Sequence, residues 1–224
     1  MCVFCEIIKR KSSAHIVYEN AQLISFLDSV AQDAEMCLSF SVHGHVAKIH
    51  DDLSGNAGAF KRLLNAMDGI SKTHCRIYTN TVINAKNIMH LKDVVVLLCQ
   101  YNPEIMQFSM MHLKEKSPLT VSFVDSVKAI KELKGMVSLD ILKTEGVPYC
   151  LLYGMEQCVG ESAWPTTLDL YNKENDYMND FKQLDYGMRS KLENCDKCIL
   201  NMICMGVWTE HFEEFSGMGI RPIG

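Results

Sequence analysis

The 224-residue sequence predicts an α/β fold with parallel strands, and three observations support this. From residue 37 to residue 143, β-rich runs alternate with runs whose apolar residues recur at helical spacing. Successive strands start roughly thirty to forty residues apart, the length a βαβ crossover needs. The last third, residues 144–224, breaks that rhythm and gathers cysteines near its end. Three segments follow from this: 1–36, 37–143 and 144–224.

The first segment starts with CVFCEIIKR (2–10), which suits a short helix. HIVYE and LISFLD then form two strands of a hairpin about a turn near Asn20. In the second segment CLSFSV (37–42) is a compact strand. GAFKRLLNAMDGI (58–70) places Phe60, Leu63, Leu64, Met67 and Ile70 on one helix face. CRIYTNTVI (75–83) is rich in β-branched and aromatic residues, as strands are. HLKDVVVLLCQY (90–101) reads as a buried helix and IMQFSMMHL (105–113) as the next strand. VDSVKAIKELKG (124–135) is a helix stopped by glycine, and MVSLDIL (136–142) is the last strand. A polar helix is expected around 171–190.

The totals limit the function. A net charge of −5, with no long basic run, argues against nucleic-acid binding, which requires a basic face. No apolar stretch reaches the ~18–20 residues that span a bilayer. The first fifteen residues place apolar before basic side chains, the reverse of a secretory signal, so a cytoplasmic location is expected.

Ten cysteines are present. Cys37, Cys75 and Cys99 sit in apolar runs and read as small buried hydrophobes. Cys2 and Cys5 form one C-x-x-C; Cys195, Cys198 and Cys204 form a C-x2-C-x5-C group. A C-x-x-C turn brings two thiolates onto one metal or cluster, and a closed site needs four ligands. Cys150, in EGVPYC after a strand end, is the candidate fourth ligand, with Cys158 in reserve. Spacing alone fits a structural zinc ion and an iron–sulfur centre equally.

Residues 38–70, 76–91 and 195–223 resemble, in order, the later part of a radical S-adenosylmethionine (SAM) domain. The first stretch carries a Ser-x-His-Gly-like strand end (Ser41 to Gly44), His50–Asp51 and a helix with Phe60. The second has the pattern Asn-Thr-Val-x-x-x-x-Asn, from Asn80 to Asn87. The third has C-x-x-C-x5-C-x-G and a closing Pro222–Ile223, like an auxiliary-cluster tail. The resemblance implies a partial (β/α) barrel with its site at the C-terminal strand ends. It also implies a C-terminal lobe holding a [4Fe–4S] cluster on Cys150, Cys195, Cys198 and Cys204. Ser41, His43 and Asn80 would face SAM. The family's C-x3-C-x2-C motif and Gly-Gly-Glu segment are absent from the sequence, so radical catalysis by this chain alone is not expected. A partial barrel exposes sheet edges, which a protein partner or a second copy would cover.

Residues 2–28 resemble the start of a histidine triad (HIT) protein: Cys-x-Phe-Cys, a Val-Tyr-Glu hairpin and Phe-Leu-Asp. That family cleaves nucleotides with His-x-His-x-His on a strand. Here His43 and His45 have the spacing, but the third position is Ala47. The two resemblances together describe a fusion joined near residues 28–37. Three functions follow: an iron–sulfur protein of radical SAM descent, a HIT-type nucleotide hydrolase, or a zinc-binding non-catalytic module.

Overall fold

The computed structural model describes residues 15–19, 24–27, 37–72, 75–112, 117–160 and 189–224. Strands β1 (His15–Glu19) and β2 (Ile24–Leu27) pair antiparallel, as the hairpin reading expects. Cys2, Cys5 and most of the expected helix at 171–190 lie outside the described residues. Among the described residues, no helix is long and apolar enough to cross a membrane.

The centre is a mixed α/β unit on four parallel strands. These are β3 (Cys37–Ser41), β4 (Arg76–Ile83), β5 (Ile105–Met110) and β6 (Leu142–Glu145), paired in chain order. Between β3 and β4 run helices α1 (Ala47–Ser54) and α2 (Ala59–Ile70). Helix α3 (Leu91–Cys99) joins β4 to β5, and α4 (Phe123–Lys131) joins β5 to β6. β4 shows why the sheet sits as it does: its residues alternate between half-buried and buried from end to end. Ile77, Thr79, Thr81 and Ile83 face inward, with Phe40, Met106 and Phe108 as cross-strand neighbours or near neighbours.

That inner face shares one core with Leu63, Met67 and Ile70 of α2, Leu91 and Leu98 of α3, and Ile130 of α4. Burying a ring such as Phe108, fully inaccessible here, is worth about 1.5–3 kcal/mol. The core extends past the sheet to Leu152 and Cys158 and to Val207 and Trp208. Strands β7 (Arg189–Ser190) and β8 (Val207–Trp208) form a short antiparallel pair, followed by α5 (Thr209–Phe215).

Two local features differ from the expected pattern. The last parallel strand begins at Leu142, where 136–142 was expected. Ser138 diverts the preceding residues: its hydroxyl accepts the Asp140 N–H and donates to the Asp140 carboxylate. Helix α1 is not among the expected elements, and it carries His50–Asp51. Asp51 caps the next helix, accepting the N–H groups of Gly58 and Phe60 at 2.6 and 2.7 Å. Those two bonds hold its carboxyl below the usual range.

Candidate metal centre and the polar face of the sheet

The four expected cysteines line one cavity. Each arrives on a tight turn. Extended Pro148 leads into the 3₁₀ turn Tyr149–Leu151 that carries Cys150. Cys195 lies in the turn Glu193–Lys197, and the Cys198 N–H closes back on the Cys195 carbonyl at 3.0 Å. The Cys204 N–H bonds the Leu200 carbonyl at 2.9 Å. Gly206 follows with φ +85°, where a Cβ would stand 2.4 Å from the Ser190 carbonyl oxygen, so only glycine fits. The C-terminal tail closes the cavity: the Ile223 N–H donates to Cys198 Sγ at 3.3 Å.

The thiols sense one another. Burial pushes the Cys150 thiol up; the Arg221 backbone opposes this, and Cys204, Cys195 and Cys198 add to the rise. Cys195 is likewise raised by burial, opposed by the Leu192 backbone and reinforced by Cys204 and Cys198. Four thiolates gathered in so apolar a space repel unless a cation compensates them. The donor set therefore suits a thiolate-bound metal group. Its spacing is wide: no three of these described sulfurs lie within 4.8 Å of one another. A tetrahedral zinc ion, with Zn–S near 2.3 Å, draws its sulfurs to about 3.8 Å. A four-iron cluster takes one thiolate at each iron and spreads them further. Cys158 lies elsewhere, fully buried, with its thiol directed at the Leu139 carbonyl 3.7 Å away.

A second polar group covers the outer face of the sheet. Ser41, Asn80 and Gln107 stand in register across β3, β4 and β5. Ser109 and Glu145 stand in register across β5 and β6. The Glu145 carboxylate accepts from Gln107 Nε2 at 2.9 Å and lies 2.8 Å from Ser109 Oγ. Ser109 Oγ is also 2.7 Å from Asn80 Oδ1, so its one proton is shared between two acceptors. Gln107, Ser109 and Glu145 complete this hydrogen-bonded group, and motif reading did not single them out. Their alternation along β5 and β6 was the available signal.

His43 follows β3, half-buried, its ring stacked on His50 with centroids 5.7 Å apart. Burial keeps its pKa low. Residues 43–46 form a loop and Ala47 opens α1, so His43, His45 and position 47 do not run along a strand. Three further histidines have partners here, and His112 Nε2 lies 3.4 Å from Glu210 Oε1. His211 is buried and its Nε2 lies 2.7 Å from the Met111 carbonyl. His90 meets Asp93 and His45.

No family model, no curated protein and no solved structure matches the chain.

Proposed function

We propose that the protein is an iron–sulfur protein of radical SAM descent, with one [4Fe–4S] cluster on Cys150, Cys195, Cys198 and Cys204. The observation that carries this reading is the convergence of those four thiols on one cavity. Four parallel strands in chain order, with a helical core on one face, suit a segment of a (β/α) barrel. The polar outer face would then be the inside of the barrel. Ser41 and His43 lie at or just past the C-terminal end of β3, and Asn80 pairs with Ser41 from within β4; SAM would be held there. A partner chain or a second copy would complete the wall beyond β3.

Four cysteines close the coordination of a cluster, leaving no iron open for the amino and carboxylate groups of SAM. The role of this centre is therefore electron transfer or structure, and the isolated chain does not cleave SAM. The test is anaerobic reconstitution with iron and sulfide, followed by iron, sulfide and zinc analysis of one sample. About four irons and four sulfides per chain, lost in Cys198→Ala, support the cluster. One zinc and no sulfide would establish the zinc module instead.

A further inference from the structure

We infer that His45, His90 and Asp93 form a second metal site, for one divalent first-row transition ion, separate from the four cysteines. Their ligand atoms all lie within 4.8 Å of one another, and no other set of three or more among the described residues does so. Asp93 Oδ2 stands 3.2 Å from His90 Nδ1 and 3.8 Å from His45 Nε2. Metal–ligand bonds of 2.0–2.2 Å at tetrahedral angles place donor atoms about 3.4 Å apart, so this trio needs little movement to close on an ion. Two imidazoles and one carboxylate suit zinc or iron(II), and supply three ligands while leaving other positions open. Exposure agrees with that: the side chain of His45 is 24 % accessible, that of Asp93 54 %.

The scaffold beneath the trio is tied together by a buried side chain. His45 comes from the loop after β3; His90 and Asp93 come from the connection after β4. Asn87 ties the two together. It is fully buried, and its Nδ2 donates to the His43 carbonyl at 3.1 Å and to the Val82 carbonyl at 2.9 Å. Its Oδ1 accepts the Asn84 N–H at 2.8 Å. Gly44, between His43 and His45, is pressed on Ile49, where a Cβ would come within 2.6 Å. Ligands held by locked neighbours are what a preformed metal site requires. The site also lies at the C-terminal ends of two adjacent parallel strands, the functional edge of such sheets.

The experiment is a Co²⁺ titration of the full chain, followed by absorbance, with Zn²⁺ binding measured by calorimetry. Cobalt on imidazole and carboxylate gives d–d bands without sulfur-to-metal charge transfer, so this signal is distinct from cobalt on cysteines whether or not the cluster exists. One equivalent with the sulfur-free spectrum is expected. Asp93→Asn and His90→Ala should each lower the affinity at least about tenfold, and Lys92→Ala on the same helix should not. Asp93→Asn preserves size at an exposed position, so its fold is retained. Cobalt bound only with sulfur charge transfer, no cobalt bound at all, or an affinity unchanged by Asp93→Asn would each overturn the assignment.

Discussion

Asn87 donates its carboxamide to the main-chain carbonyl of His43, 3.1 Å away, joining the loop after β3 to the turn after β4. The same side chain serves three backbone groups at once. Asn87→Ala strands them in a region closed to water. A buried group left unpaired costs about 1–3 kcal/mol, and some will relax, so a total loss of about 2–4 kcal/mol is expected. Urea unfolding measures it; a loss under about 1 kcal/mol would show that the loops hold without this residue.

His50 makes stability depend on pH. It is 4 % accessible, and its Nδ1 accepts the His43 N–H at 3.2 Å. Burial first, and His43 second, push its pKa from 6.5 to about 4, against the opposing pull of Asp51. The folded state thus prefers the neutral ring more strongly than the unfolded chain does. This contribution is complete above about pH 6.5 and drains away as pH falls towards 4, by about 3 kcal/mol in all. His50→Gln should flatten the melting temperature between those limits. An unchanged acid slope would assign the dependence to other groups.

Cys150 and Cys158 are eight positions apart, yet only the first lines the four-cysteine cavity. Cys150→Ala should remove most of the bound iron from the reconstituted chain. Cys158→Ala should leave the iron content at the level of the parent. Equal losses in both would mean that the two variants act through the fold rather than through ligation.

The polar face of the sheet should contribute to SAM binding. Asn80→Ala removes the amide beside Ser109 and should weaken SAM about tenfold in equilibrium dialysis, the value of one hydrogen bond, without changing iron content. Binding unchanged in Asn80→Ala would direct SAM away from this face.

Much of the fold is legible in the residues because the sheet obeys period two. RIYTNTVI alternates so cleanly that both the strand and its inner face follow from the letters. The last strand is less clear, since MVSLDIL has the same alternation but is diverted by the Ser138 turn. The cysteines can be grouped in advance because three of them are close in sequence and the fourth follows a strand end. His90 could not be: its partner His45 is forty-five positions away, and nothing around either residue announces the other. Only the register of β3 on β4, with Asn87 bridging their ends, brings the two rings to 5.0 Å.

The order β3–β4–β5–β6 repeats the order of synthesis. Each strand after β3 finds a neighbour already made, one crossover upstream. The sheet can therefore be laid down from its first edge as translation proceeds, with no need for a later strand to insert between two earlier ones. Cys150 and the residues near position 200 follow all four strands in the chain, so the four thiols meet only after the wall behind them has been synthesised.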